Sequence, residues 1–252
     1  MEPFLKIMGS IMIGHIGQMP SVAAKKFRDQ EALYFEGQSF TFEELSNLIE
    51  KFSSSLHDLG IMQNDVVTLY ASNSWEWIVS YFSIARIGAV INPVNTMLTP
   101  SEVKHVVNDC KAKAIITSYD KASAIINIKN DTSVNTIISF GRAPQGTEEF
   151  NNLIKNEFQP VKMPNIIPED LSTIGYTSGT TGHPKGAMQS HKSVVINGAM
   201  TSQLHMRGPE DVVVSALPCP HVYANVLMTG MMMFGTKLVL HQMFDPLNVF
   251  KD

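Results

Sequence analysis

The stretch Tyr176-Thr177-Ser178-Gly179-Thr180-Thr181-Gly182-His183-Pro184-Lys185-Gly186 packs three glycines, four serine or threonine hydroxyls and one lysine into eleven residues. Glycine lets the backbone turn sharply and approach a ligand closely. Successive free amides in such a turn form a concave anion site. Thr177, Ser178, Thr180 and Thr181 add hydroxyl donors, and Lys185 adds a mobile positive charge suited to a polyphosphate. The spacing excludes a Walker A loop, which needs lysine directly between glycine and Ser or Thr; here Pro184 precedes Lys185 and Gly186 follows it. No Gly-x-Gly-x-x-Gly signals a dinucleotide fold. An arbitrary polar loop of this composition is more often a solvated connector. The flanks argue otherwise: an apolar lead-in, Leu171 to Tyr176, reads as a strand, and a helix is expected from Ser193 to His205.

Upstream of the loop, strand and helix patterns alternate. Thr41 and Glu44 have capping-box spacing. Leu45, Leu48, Ile49, Phe52, Leu56 and Leu59 follow at helical spacing, and Gly60 stands where a left-handed stop belongs. Asp65 to Ala71 reads as a buried strand, Ser74 to Ile87 as a helix ended by Gly88, and Ala89 to Ile91 as a strand that Pro93 stops. Thr99-Pro100-Ser101-Glu102 is a second capping box with proline at the first helical position. Ala114 to Thr117 and Val134 to Ser139 are further strands. Downstream, Asp211 to Ala216 reads as a strand, His221 to Phe234 as a methionine-rich helix ended by Gly235, and Lys237 to Leu240 as a strand. This order predicts an α/β fold: layered parallel sheets with covering helices and right-handed crossovers. Ligands in such folds gather beyond the carboxyl ends of strands, where the glycine-rich loop falls.

Composition sets the limits. The 252 residues are 44% hydrophobic with a net charge of −4, ordinary for a soluble chain with a sizeable core. The slight acidity and the absence of a Lys/Arg run argue against nucleic acid as a partner. Cys110 and Cys219 fit no metal or redox spacing, so no metal site is expected and a reduced, cytoplasmic setting is the default. Met1 to Met19 is broken by Glu2, Gly9, His15 and Gly17 and reads as an early helix or arm rather than a signal peptide. Val222 to Leu240 is apolar, but Gly230, Gly235 and Lys237 divide it into a buried helix and a strand, so no transmembrane segment is expected. Asp245-Pro246 reads as the start of a helix with six residues left to run, from which the chain is expected to stop partway through a larger fold.

The run Thr177 to Gly186 resembles the signature loop of the adenylate-forming (AMP-binding) enzymes, most of all the acyl-CoA synthetases. Leu217-Pro218-Cys219-Pro220-His221-Val222-Tyr223 resembles that family's next motif, a proline-rich turn ending in His where the acyl pocket begins. The family usually has an aromatic residue before that His, where this chain has Pro220. The resemblance covers about Phe40 to the end and implies the N-terminal part of the large AMP-binding domain, an incomplete acyl-CoA synthetase-like fold. It places the phosphate loop at 176–186 and the acyl-pocket segment at 217–240. It implies ATP-dependent activation of a carboxylic, expectedly fatty, acid to an acyl-adenylate, followed by transfer to CoA, with ATP, Mg2+ and CoA as the small molecules involved. Thr177, Ser178, Gly179, Thr180, Thr181, Gly182 and Lys185 would hold the ATP phosphates. His221, Val222, Tyr223, Met228 and Met231 would line the acyl pocket, although methionines at helical spacing are equally ordinary core. The family's metal-binding Glu and catalytic Lys belong to later segments that this chain does not carry, so no residue here is assigned those roles. Peptide-synthetase domains hold the substrate's amino group with an Asp early in the second motif. None stands between Leu217 and Phe234, so a plain acid is expected. Peripheral membrane contact is compatible with a fatty substrate. Loading of a carrier protein, or a non-catalytic module that binds ATP or acyl groups, are the competing readings.

Overall fold

The computed structural model describes residues 14–155, 157–177 and 184–249. A 3-10 turn (Ile16–Gln18) leads into α1 (Met19–Phe27), the hairpin β1 (Glu31–Phe35) and β2 (Gln38–Thr41), and α2 (Phe42–Asp58). Then β3 (Val66–Tyr70), α3 (Trp75–Arg86), β4 (Val90–Pro93), α4 (Pro100–Asp109), β5 (Ala112–Ser118), α5 (Tyr119–Lys129) and β6 (Thr136–Phe140) alternate. The short β7 (Glu148–Glu149) and α6 (Phe150–Leu153) precede β8 (Leu171–Thr177) and β9 (Lys185–Ser190). The remaining elements are α7 (His191–Leu204), β10 (Val212–Ser215), α8 (Val222–Phe234), β11 (Lys237–Leu240) and α9 (Pro246–Val249).

Among the described residues the strands form a seven-stranded sheet, ordered β7-β6-β5-β3-β4-β8-β9, and a four-stranded sheet, ordered β10-β11-β1-β2. All pairings are parallel except the hairpins β1–β2 and β8–β9. The expected layered parallel α/β architecture is present. Side-chain alternation divides the large sheet into two faces. Ile116 and Ile138 join the main core, where Phe52 of α2 and Trp77, Tyr81 and Phe82 of α3 meet Leu33, Leu238 and Leu240 of the small sheet. Ile115 and Ile137 face the other way, under Val103, Val106 and Val107 of α4 and Ile125 of α5.

Local signals hold where they were strongest. Thr41 and Thr99 accept from the amides of Glu44 and Glu102, whose carboxylates return to the cap amides. Ser74 caps α3, and Gly60, Gly88 and Gly235 all take positive φ. Three features add to this reading. Between the polar loop and the helix that follows it, β9 folds back along β8. Lys185 is therefore the first residue of a strand, opposite Thr177. The hairpin β1–β2 and helix α5 complete the fold without having been expected. The early helix begins at Met19, after the 3-10 turn, and residues 1–13 lie outside the described residues.

Candidate functional site

The site grows from the base of the β8–β9 hairpin. Thr173, Gly175 and Thr177 alternate along β8 and so share one face. Their ladder partners are Gln189, Ala187 and Lys185, and directly opposed residues project to the same side. Lys185 thus joins Thr177 at one end of the paired strands. The hairpin face forms one wall of a cleft of about 510 Å³. The other walls are Pro93 and Asn95–Met97, just past β4, and Pro218, Pro220, His221, Val222 and Asn225, in the turn before α8 and its first turns. Tyr176 alternates away from this face, and its hydroxyl donates to the Asp109 carboxylate.

Asparagines hold these walls in place. Asn92, fully buried, accepts from the Thr68 hydroxyl at 2.9 Å and donates to the Ile174 carbonyl at 2.8 Å. It thereby ties β3, β4 and β8 where the β4–β8 ladder itself has the single pair Ile91–Thr173. Asn73, also buried, donates to the carbonyls of Leu217 (2.9 Å) and His241 (3.0 Å) and accepts from the Cys219 amide at 2.7 Å. One side chain thus pins the proline-rich turn to the loop after β3 and the end of β11. Burial pushes the Cys219 thiol pKa well up, so the thiol stays protonated and unreactive.

His221 caps α8: its Nδ1 accepts from the Tyr223 amide at 3.2 Å. In the neutral ring the proton then lies on Nε2, which is left as a donor. Two further residues of the cleft stand out. Asn225 is 5% exposed, yet its Oδ1 has no hydrogen-bond partner, an uncommon state for a buried acceptor. Gly175 has ordinary negative φ, and a Cβ built on it would meet nothing within 4 Å. Its missing side chain leaves room in the cleft rather than relieving the fold.

A second cavity, about 840 Å³, shares Thr96, Pro218 and Pro220 with the first. It lies among residues 71–73, 213–218 and 242–244, past β3, along and past β10, and past β11, with Tyr223 and Leu227 of α8 as its apolar side. The site therefore occupies the carboxyl ends of both sheets, as the fold class dictates.

The structure brings together Thr177, His221 and Val222 around the first cleft and Tyr223 around the second; Lys185 stands beside Thr177 by register. Ser178, Gly179, Thr180, Thr181 and Gly182 lie outside the described residues. Met228 and Met231, each 1% exposed, belong to the main core and line neither cavity. Among the described residues no three His, Cys, Asp or Glu side chains converge as a metal ion would require. No described helix is long and apolar enough to cross a membrane. Sequence reasoning missed Asn73, Asn92, Gly175 and Asn225, because each acquires its meaning from chain segments distant in sequence.

The AMP-binding enzyme family matches residues 21–252. The chain is 30% identical over 214 residues to 4-coumarate–CoA ligase 2 of Solanum tuberosum, covering 82% of this chain and 38% of that protein. It is 29% identical over 216 residues to indoleacetate–CoA ligase of Aromatoleum aromaticum, covering 85% of this chain and 42% of that one. Among solved structures, a putative long-chain-fatty-acid CoA ligase from Rhodopseudomonas palustris superposes with a TM-score of 0.89 at 23% identity, covering 94% of this chain and 60% of that one. The chain thus spans roughly two-fifths of the length of these curated relatives.

Proposed function

The chain belongs to the AMP-binding enzyme family, and from that premise we propose that it forms the phosphate- and acyl-binding part of an enzyme that activates a carboxylic acid with ATP and passes the acyl group to CoA. The observation that carries this reading is the convergence of Thr177, His221 and Asn225 on one cleft, with Lys185 paired to Thr177 at its edge. In the first step a carboxylate oxygen attacks the α-phosphorus of ATP, the bond to the bridging oxygen breaks, and pyrophosphate leaves. In the second, the CoA sulfur attacks the acyl carbonyl and AMP departs. Anion attacking anion needs neutralised phosphates and reactants held in line.

Each residue has a task in that scheme. The Thr177 hydroxyl donates to a phosphate oxygen, and Lys185 supplies charge to the polyphosphate, with residues 178–182 completing the cradle. His221 donates from Nε2 to the acid's carboxyl group, the Nδ1 bond to the Tyr223 amide fixing the ring. The open space at Gly175 admits the nucleotide or acyl linkage. Mg2+ would neutralise phosphate charge when bound with ATP, but the described residues offer no carboxylate cluster for it. Tyr223 and Val222 line the acyl path, while Met228 and Met231 back it from the core. The relatives named above act on aromatic acids and the structural neighbour on long-chain fatty acids, so substrate shape falls to the cavity lining.

Acid-dependent ATP–pyrophosphate exchange on the purified chain, with a panel of aliphatic and aromatic acids, tests the proposal. Binding of ATP and of one class of acid is the expected result, and exchange with that acid would add that these residues suffice for the first step. A folded chain that gives no exchange and binds neither ATP nor acid would overturn it.

A further inference from the structure

Among the described residues that line the 840 Å³ cavity, Arg207 is the one that carries a charge, the others being apolar or, like Ser72, Asn73, Thr96, Ser215 and Gln242, neutral and polar. Val213, Leu217, Tyr223, Leu227, Met243 and Phe244 contribute to its wall, and Arg207 faces it from the turn between α7 and β10. Arg207 is half-buried, and no hydrogen bond or ion pair among the described residues involves its guanidinium. The acids on its own loop do not serve it: no ion pair joins Arg207 to Glu210 or Asp211, and the Asp211 carboxylate accepts from the Gly208 amide at 2.7 Å. A guanidinium against an apolar wall without a counter-charge is an anion receptor in waiting, since its planar fork matches a carboxylate.

Its position along α8 gives a length. Tyr223, Leu227 and Gly230 follow at i, i+4 and i+7 and so form one stripe. A Cβ built on Gly230 would lie 3.8 Å from Arg207 Nη1, which places the guanidinium about one turn beyond Leu227. At 1.5 Å per residue, Tyr223 and Gly230 are about 10 Å apart along the helix. His221 caps the near end of the stripe and Arg207 closes the far end.

We infer that Arg207 reads a second, anionic group at the far end of the acid, so that this cavity takes dicarboxylates, or acids with a comparable remote anion, in preference to simple fatty acids. The inference rests on the proposed acid-activating cleft and adds the substrate class. A monoacid's methyl end leaves the guanidinium desolvated and unpaired, which is the kind of mismatch that discriminates strongly.

Calorimetric titration of the full chain with decanoate and with decanedioate, in the presence of ATP, tests it. The expected result is a preference for decanedioate of about tenfold or more, the worth of one charge-assisted contact. Arg207→Gln should abolish that preference and Arg207→Lys retain part of it, both with unchanged ATP affinity and thermal midpoint. Equal affinity for the two acids in the native chain would overturn the inference while leaving the acid-binding cleft standing. Binding of neither acid, with ATP also unbound, would overturn both.

Discussion

At the scale of single residues, the site can be separated from the fold by substitution. Gly175 is the sharpest case, because its Cβ position faces open space and its φ is unexceptional. Gly175→Val should leave the thermal midpoint within a degree or two, or raise it slightly as the unfolded chain loses freedom. The same change should fill the cleft and weaken acyl-adenylate binding by about tenfold or more, equivalent to about 1.4 kcal/mol of steric penalty. Calorimetry and titration on one sample check both halves; loss of stability without loss of binding would show that Gly175 serves packing. Lys185→Ala should weaken ATP binding by about tenfold with no change in midpoint, since Lys185 is exposed. Asn73→Ala works differently. It strands a buried amide and two carbonyls, each costing about 1–3 kcal/mol, and frees the turn that carries His221. It should lower both stability and acid affinity, measurable by denaturant unfolding and titration.

At the scale of elements, what was legible is what is local. Thr41 with Glu44, Ser74, and Thr99 with Glu102 announce helix starts because a cap needs only residues within one turn. Gly60, Gly88 and Gly235 announce ends because positive φ is a property of one residue. Strand β9 was not legible: Lys-Gly-Ala-Met-Gln-Ser is mostly exposed, lacks a clean apolar alternation, and is held by its ladder to β8. The turn Glu36-Gly37, both with positive φ, was the available signal for hairpin β1–β2. Strand β1 finds its parallel partner β11 some two hundred residues away, and local pattern does not encode that. The site divides in the same way. Thr177, Lys185 and His221 stand in motifs that spacing makes readable, whereas Asn73, Asn92 and Asn225 take their places at the candidate site through contacts between distant segments. Packing between elements also makes a prediction. Gly198 of α7 lies against Thr229 of α8, where an added Cβ would fall 2.1 Å from the threonine hydroxyl. Gly198→Ala should therefore cost about 1–3 kcal/mol by overpacking, despite alanine's better helix propensity. An unchanged unfolding free energy would show that the two helices can spread without penalty.

At the scale of the whole molecule, the segment before α1 is tied to the start of α7 by a buried histidine pair. The Ile16 amide donates to His191 Nδ1 at 3.3 Å, and the His15 and His191 rings meet edge to face at 5.6 Å. Burial, followed by the neighbouring His15, pulls the His191 pKa down to about 4; burial also lowers His15, against the opposing pull of Asp170. The folded state thus resists protons that the unfolded chain takes up near 6.5. Stability should be full above that value and fall as the pH drops from about 6.5 towards 4, by an amount on the order of 3 kcal/mol if His191 alone responds. His191→Gln should flatten that slope, as urea unfolding across the range would show. The two sheets and the turn held by Asn73 direct three widely separated segments to one opening, and the central claim is that this opening receives nucleotide and acid as a joined pair. The direct measurement is the affinity of a non-hydrolysable acyl-sulfamate analogue of an acyl-adenylate, titrated against AMP and the free acid. Binding at least tenfold tighter than either half, and weakened by Gly175→Val, is the expected result. An analogue that binds no better than AMP alone, or that ignores Gly175→Val, would contradict the claim.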